Sequence, residues 1–191
     1  MVTRNYRHAD TPVTEKIHLW GRPAHDRHRF AAGDGTDILL TMAASMFWYD
    51  FETTGTDPLM DRPIQFAGVR TDLDLNVLDA PVNLLGCPGD DVIPTPEAIL
   101  VTGLSMLEVR ESGLNETSFC GQVLKQFSVP ETCVCGYNSI RFDDEFTRQM
   151  FYRNFRDPYA RELQHGNSRW DVIDLFRMAF ALRPDGIQWP T

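Results

Sequence analysis

Four short stretches have the pattern of apolar and polar positions that predicts β-strands. The first, Met46 to Glu52, is an aromatic-rich run that stops at Thr-Thr-Gly, which is typical of a buried strand. Residues 62–72 and 75–86 follow, separated by a short Asp-rich turn, so that the first three strands are expected to form a meander. Residues 132–138 form a short apolar run of strand length. The sequence therefore predicts a sheet that begins at Met46.

Helical periodicity occurs between and after these strands. Apolar side chains recur there at intervals of three and four residues, which places them on one face of a helix. Strands that are followed by alternating helices and strands predict an α/β or an α+β protein. The helices are expected in residues 93–113 as two short helices broken at Thr102–Gly103, in 115–128 with Asn115 as the cap, in 142–155, and in 168–184, ended by Pro184.

Residues 1–45 differ from the remainder of the chain. They contain four of the five histidines, together with scattered Gly and Pro, and show neither helical nor alternating apolar periodicity. The histidines have no spacing that defines a metal site. We therefore expect residues 1–45 to be a disordered N-terminal extension and the folded domain to span residues 46–191.

Size and composition predict a globular protein. The chain has 191 residues, 42% of them hydrophobic, which is enough for one domain with a core. No stretch is long and apolar enough to span a bilayer, and the N-terminus lacks a signal-peptide pattern, so a cytoplasmic protein without membrane association is predicted. The four cysteines lack C-x-x-C spacing and are expected to be reduced thiols.

Charge is distributed unevenly along the chain. The net charge is −9, which argues against a uniformly basic surface for nucleic acid. Between residues 46 and 140 there are four Lys or Arg and fourteen acidic residues, whereas residues 141–191 contain eight Arg and eight acidic residues. Two interpretations remain open for these arginines: contacts to phosphates in one channel, or ion pairs on solvated helix faces. The arginines of the first interpretation are Arg141, Arg148, Arg153 and Arg156.

Three acidic side chains form the candidate site. Asp50 and Glu52 are two residues apart in a strand, so both side chains project from the same face. Asp143 stands where an apolar strand meets a helix, and it either caps that helix or points into a cleft above the sheet. Carboxylate oxygens held this closely suit a hard divalent cation, although a D-x-E pattern alone is more typical of two solvated acids on an edge strand.

Longer blocks of sequence resemble a known family. The motifs YDFETTG (residues 49–55) and NSIRFD (residues 138–143) resemble the first two motifs of the DEDD superfamily of 3′–5′ exonucleases. The blocks at residues 61–72, 136–160 and 166–190 resemble, in that order, the bacterial exodeoxyribonuclease I family. The resemblance covers essentially all of the chain from Phe47 to Pro190, and it implies an RNase H-like exonuclease fold.

The resemblance also implies a function and a site. It implies stepwise 3′–5′ degradation of single-stranded DNA to 5′-mononucleotides in DNA repair and recombination. Asp50, Glu52 and Asp143 would be the catalytic metal ligands for two Mg²⁺ ions, with Mn²⁺ as an alternative, and Thr53 would approach the terminal nucleotide. A single-strand-binding protein is an expected partner of the full-length family.

Substrate contacts follow from the same picture. Single strands are held by arginine contacts to phosphates and by stacking of bases on aromatic side chains. Arg141 and Arg148 are the expected phosphate contacts. The candidates for stacking, each of which can equally be a core residue, are Phe151, Tyr152 and Trp170.

One family motif has no counterpart in this chain. The family pattern includes a general-base histidine five residues before a fourth metal-binding aspartate. His165 is six residues from Asp171 and belongs to a different family segment, so we do not interpret it as the base. The sequence therefore predicts a C-terminally truncated copy of the exonuclease domain, in residues 46–191, with little activity alone. The alternatives are an inactive single-stranded nucleic-acid-binding fragment, an RNA-directed exonuclease of the superfamily, or an inert product of a broken reading frame.

Overall fold

The aromatic run forms a central strand of a six-stranded mixed sheet. The computed structural model describes residues 29–31, 37–39 and 44–183. A two-stranded antiparallel ribbon, β1 (Arg29–Ala31) and β2 (Asp37–Leu39), precedes the sheet in the chain. The strands of the sheet are β3 (Ser45–Thr53), β4 (Pro63–Thr71), β5 (Val82–Cys87), β6 (Leu114–Asn115), β7 (Thr132–Gly136) and β8 (Ser168–Asp171).

The order of strands across the sheet is β6–β5–β4–β3–β7–β8. β3, β4 and β5 pair antiparallel, so the predicted meander is confirmed. β7 pairs parallel with β3, and β8 pairs parallel with β7. Because parallel strands end at the same edge of a sheet, the segments that leave β3 and β7 meet at one edge.

Most of the helices lie where the periodicity of apolar residues predicts them. The two short helices broken near Gly103 and the capping of the next helix by Asn115 are confirmed, and the Asn115 side chain accepts a hydrogen bond from the Ser118 N–H. The helices are α1 (Pro96–Thr102), α2 (Met106–Ser112), α3 (Glu116–Phe127), α4 (Asp143–Arg153), α5 (Ala160–Leu163) and α6 (Ile173–Leu182), with a 3₁₀ turn at Gln164–Gly166.

Three sequence predictions need correction. Residues 168–184 were expected to form one helix, but Ser168–Asp171 is strand β8 and only Ile173–Leu182 is helical. β8 completes the sheet beside β7, and this tertiary pairing overrides the local helical pattern. The third strand was expected from residue 75 but begins at Val82. Strand β6 and helix α5 were not predicted.

The core lies on one face of the sheet. Along β3, Phe47, Tyr49 and Phe51 alternate with more exposed residues and are buried against Phe66 of β4. Helices α3 and α4 cover this face, and their buried side chains include Phe119, Val123, Phe127, Met150 and Phe151. Period-two alternation therefore places Asp50 and Glu52 on the opposite face.

Two predictions concern parts of the chain outside this sheet. Most of residues 1–45 lie outside the described residues, so the disordered extension and the boundary at residue 46 stay predictions; the ribbon of β1 and β2 was not predicted there. Within the described residues, no helix has the length and apolar character needed to cross a membrane.

Candidate active site

Strand pairing brings Asp143 to the acidic end of β3. The last pair between β3 and β7 is Trp48 with Cys135, and β7 ends one residue later. Beyond that point the N–H of Phe51 donates a hydrogen bond to Oδ1 of Asp143, at 3.0 Å. Asp143 is the first residue of α4 and is only 2% exposed. Its carboxylate therefore bonds to the strand that carries Asp50 and Glu52 rather than capping its own helix.

The three carboxylates interact electrostatically. Burial and, second, the negative charge of Asp50 raise the pKa of Asp143 to about 7, although the Phe51 hydrogen bond opposes the shift. Asp50 keeps contact with solvent, yet partial burial still raises its pKa. Burial raises the pKa of Glu52 as well, and the charge of Asp50 adds to that effect. The cluster therefore carries negative charge that its surroundings compensate poorly.

The donor atoms of this cluster fit a divalent cation. All three groups offer carboxylate oxygens, the ligands that Mg²⁺ and Mn²⁺ prefer. A cation would also relieve the uncompensated charge that raises the three pKa values. Within the part of the chain that the structure describes, no group of three or more His, Cys, Asp or Glu side chains is arranged so that it could hold a metal ion. The three side chains therefore offer ligands of a suitable type, but they do not form a complete coordination sphere.

A cleft opens beside Glu52. Its volume is about 540 Å³, within the range of about 300 to 1,000 Å³ usual for small-molecule sites. The Thr53 hydroxyl lies at its wall and donates a hydrogen bond to the Gly55 carbonyl, at 2.6 Å. A Cβ on Gly55 would stand 2.3 Å from the Asp61 carboxylate, so a side chain there would displace this carboxylate from its hydrogen bonds with the Thr54 hydroxyl and the Asp57 N–H. The lining also includes Phe51, Thr56, Asp57, Thr95, Glu97, Ala98, Val101, Thr102 and Phe142.

Asp171 fixes the loop that leads into α4, a role that sequence reasoning missed. Its carboxylate accepts hydrogen bonds from the N–H groups of Asn138 and Ile140, at 2.8 and 3.2 Å, and of Ile173, at 3.0 Å. Asn138 has a φ of 60°, a conformation that asparagine tolerates better than most residues. The missed signal was the position of Asp171 at a strand end, which the single-helix prediction for residues 168–184 concealed.

Asp144 holds the first turn of α4 from the core side. This carboxylate is buried and accepts a hydrogen bond from the Tyr49 hydroxyl, at 2.9 Å. It forms ion pairs with Arg161, at 2.5 Å, and with Arg169. Burial alone would raise the pKa of Asp144, but the two guanidinium groups hold it below its ordinary value. Asp143 and Asp144 are therefore neighbours with opposite electrostatic environments.

The two predicted phosphate contacts lie in different surroundings. Arg141 is exposed in the loop between β7 and α4, next to the acidic cluster. The Arg148 guanidinium pairs with Glu162, at 2.9 Å, and with Glu145, and it stacks over the ring of Tyr159. The role of each arginine in binding DNA stays a prediction.

The other candidates from the sequence also differ in their surroundings, since some are buried and some are exposed. Phe151 belongs to the core, so its interpretation as a stacking residue is wrong. Tyr152 and Trp170 are 70% and 52% exposed, and their stacking role stays a prediction. His165 bonds through its carbonyl to the N–H of Glu131, just before β7 begins. It therefore lies at the opposite end of β7 from Asp143, which agrees with rejecting it as the base.

Comparison with known proteins identifies the family. The RNase T exonuclease family model matches residues 47–189. Exodeoxyribonuclease I of Escherichia coli is 50% identical over 147 residues, which cover 77% of this chain and 31% of that protein. Exodeoxyribonuclease I of Haemophilus influenzae is 51% identical, with 76% and 31% coverage. Oligoribonuclease of Vibrio cholerae is 34% identical, with 66% and 76% coverage.

Solved structures give the same result for the fold. Exonuclease I from Methylocaldum szegediense has a TM-score of 0.73 at 57% identity, with 78% of this chain and 32% of that chain covered. The zinc-bound form of the E. coli ExoI–ssDNA complex has a TM-score of 0.74 at 50% identity, with 78% and 32% coverage. An ExoI/SSB-Ct complex has a TM-score of 0.74 at 49% identity, with 78% and 33% coverage.

The chain spans about a third of the length of the exodeoxyribonuclease I relatives that it matches. Its mixed sheet with flanking helices confirms the RNase H-like exonuclease fold that the resemblance implied. The chain therefore belongs to the exonuclease family, and its similarity is to the N-terminal part of exodeoxyribonuclease I.

Proposed function

We propose that this chain takes part in metal-dependent 3′–5′ removal of nucleotides from single-stranded DNA, with release of 5′-mononucleotides, in DNA repair or recombination. The observation that carries the proposal is the meeting of Asp50, Glu52 and Asp143 at one sheet edge, beside a cleft large enough for a nucleotide. The 50% identity to exodeoxyribonuclease I supports DNA as the substrate. The presence of ssDNA in a similar solved structure supports it further.

Each residue has a proposed part in the reaction. Asp50, Glu52 and Asp143 would hold the metal ions through their carboxylate oxygens. When bound, two Mg²⁺ or Mn²⁺ ions supply an activated water and electrostatic stabilisation of the phosphate. The turn at Thr53 would fix the terminal nucleotide in the cleft, and Arg141, together with Arg148, would contact the phosphates that follow. The Phe51 hydrogen bond keeps the Asp143 carboxylate against β3.

The test of this function is loss of metal-dependent cleavage in Asp50→Asn. Removing one anionic ligand weakens ion binding, so we expect the release of nucleotides from 3′-labelled single-stranded DNA in Mg²⁺ to fall at least about 100-fold. Single-turnover conditions with excess protein suit the low activity predicted for this chain alone. The matched control is Asp90→Asn, an exposed acid between β5 and α1, which should retain the parent rate.

Retention of the parent rate in Asp50→Asn would refute the proposed role of the carboxylates. If the parent instead binds single strands without any metal-dependent cleavage, the chain is an inactive nucleic-acid-binding fragment. That outcome would correspond to the alternative that the sequence analysis left open.

An RNA-directed exonuclease is a second candidate. It is favoured by the oligoribonuclease of V. cholerae, which is 34% identical to this chain over 76% of its own length. The two candidates differ in whether the site accepts a 2′-hydroxyl group. Competition between DNA and RNA oligomers of one sequence separates them, because the preferred substrate will inhibit cleavage of the other at the lower concentration.

Arg141→Ala is expected to weaken binding of single-stranded DNA. Removal of one phosphate contact should lower affinity by about three- to tenfold and reduce the slope of log affinity against log salt by about 0.7. Fluorescence anisotropy of a labelled oligonucleotide at several salt concentrations measures both quantities. Arg110→Ala, which removes an exposed arginine from α2, is the matched control. An unchanged salt slope in Arg141→Ala would exclude Arg141 as a phosphate contact.

Further parts of the proposal concern partners and location. A single-strand-binding protein is a proposed partner of the full-length protein, because one similar solved structure is an ExoI/SSB-Ct complex. A cytoplasmic location without membrane association is also proposed, because the exodeoxyribonuclease I relatives process DNA. Co-purification of a single-strand-binding protein with the full-length protein tests the first statement, and cell fractionation tests the second.

A further inference from the structure

Two thiols lie side by side on the face of the sheet opposite the core. Cys133 and Cys135 are two residues apart on β7, so their side chains project to the same side. Their sulfur atoms are 3.7 Å apart, and both are free thiols. Cys135 is buried, whereas Cys133 is half-buried and faces Ser168 on the neighbouring strand β8. Neither thiol has a part in the proposed nuclease site.

We propose that Cys133 and Cys135 form a binding site for a thiophilic divalent cation of the Zn²⁺ or Cd²⁺ class. A tetrahedral zinc ion with two thiolate ligands at about 2.3 Å holds their sulfur atoms about 3.8 Å apart. The observed separation of 3.7 Å therefore matches a two-thiolate chelate without movement of the strand. Soft sulfur ligands also select such cations over Mg²⁺, so the site differs in metal preference from the carboxylate cluster.

The sheet supplies a third donor beside this pair. Ser168 lies opposite Cys133 in the parallel register of β7 and β8, so its hydroxyl projects from the same face of the sheet as the two thiols. The described residues hold no cluster of three or more His, Cys, Asp or Glu side chains suited to a metal, so water would complete the coordination. The site is accordingly an open one, with lower affinity than a four-cysteine structural site.

Proton balance supports binding near neutral pH. Binding follows M²⁺ + 2 R–SH → M(SR)₂ + 2 H⁺, in which two metal–sulfur bonds replace two S–H bonds with no change of oxidation state. The S–H of Cys135 donates to the Cys133 sulfur, and this hydrogen bond, assisted by Ser168, lowers the pKa of Cys133. The first proton is therefore released readily, whereas the same hydrogen bond and burial raise the pKa of Cys135, so that the metal has to displace the second proton.

Cadmium titration of the full chain tests the site. With a phosphine reductant present, Cd²⁺ should produce a near-ultraviolet thiolate-to-metal charge-transfer band that saturates at one ion per chain. Cys133→Ser and Cys135→Ser should each weaken this binding at least about tenfold, because each leaves one thiolate. Cys87→Ser is the matched control, since Cys87 is a half-buried thiol on β5, and it should leave the titration unchanged. Zn²⁺, which binds the same thiolates without such a band, should compete with Cd²⁺ and raise the Cd²⁺ concentration needed to reach saturation.

The design separates this site from the carboxylate cluster. Cadmium bound by carboxylates gives no thiolate band, so Asp50→Asn should leave the band intact even if it abolishes nuclease activity. Cys135 is buried, so Cys135→Ala is made alongside the serine variant, and the circular dichroism of both must match that of the parent. A parent without the band, or a band that persists at full strength in folded Cys133→Ser, would overturn the proposal.

Discussion

Asp143→Asn is expected to raise the free energy of unfolding by roughly 2 to 4 kcal/mol in EDTA at about pH 8. The Asp143 carboxylate is buried, lies near the charge of Asp50, and has its pKa raised from 3.8 to about 7. In the folded protein its ionisation is therefore costly when no cation is bound. Asparagine removes the charge and keeps an oxygen that can accept the Phe51 N–H.

The pH dependence gives this prediction a definite sign. An acid whose pKa is higher in the folded protein than in the unfolded chain binds protons preferentially in the folded state. Stability is then lost as the pH rises from about 4, the unfolded value, to about 7, the folded value, and is level beyond. The difference between Asp143→Asn and the parent should open across this interval. Urea unfolding followed by circular dichroism, in EDTA at a series of pH values, measures it.

Divalent cations should reverse the order of stability. Mg²⁺ or Mn²⁺ that binds the folded parent stabilises it by mass action, whereas a variant lacking the Asp143 carboxylate gains less. Asp90→Asn, the exposed control used above, should follow the parent at every pH. A less stable Asp143→Asn in EDTA at about pH 8 would contradict the interpretation, since it would show that the ionised carboxylate contributes net stability.

The sequence predicts this site as far as local spacing can. Asp50 and Glu52 share a strand face because they are two residues apart, and the aromatic run from Phe47 to Phe51 identifies the strand. Asp143 lies beside the strand of Asp50 and Glu52 because β7 pairs parallel with β3, and no local pattern in residues 132–143 predicts that pairing. Only the resemblance to a family grouped Asp143 with the other two carboxylates. The structure then showed the hydrogen bond that places it.

The remaining interactions were hidden for physical reasons. The two arginine partners of Asp144 lie 17 and 25 residues later in the chain, so no local pattern predicts these ion pairs. Residues 168–171 were assigned to a helix because four residues are too few to show alternation beside a strongly periodic segment. That error also concealed Asp171 as the residue that anchors the loop before Asp143. Contacts between segments that are distant in the chain determine such positions, and the local pattern of a single sequence does not show those contacts.

Asp144→Asn is expected to have the opposite effect to the change at its neighbour, with a loss of about 3 to 5 kcal/mol in the free energy of unfolding. The Arg161 side chain is 1% exposed and donates to Asp144 through one terminal nitrogen. Its Nε and Nη1 atoms are buried and have no hydrogen-bond partner among the residues that the structure describes. Neutralising Asp144 therefore leaves a buried guanidinium without its anion, and removal of one partner from a buried pair is costly.

Urea unfolding at about pH 7 measures this loss, and Asp174→Asn provides the control because Asp174 forms an exposed pair with Arg177 on α6. The double variant Asp144→Asn with Arg161→Met should recover part of the stability, since the unpaired charge is removed with its partner. Recovery in the double variant would assign the loss to the buried charge rather than to altered packing. A loss below about 1 kcal/mol in Asp144→Asn would show that water compensates the Arg161 guanidinium, and that the pair does not hold α4 in place.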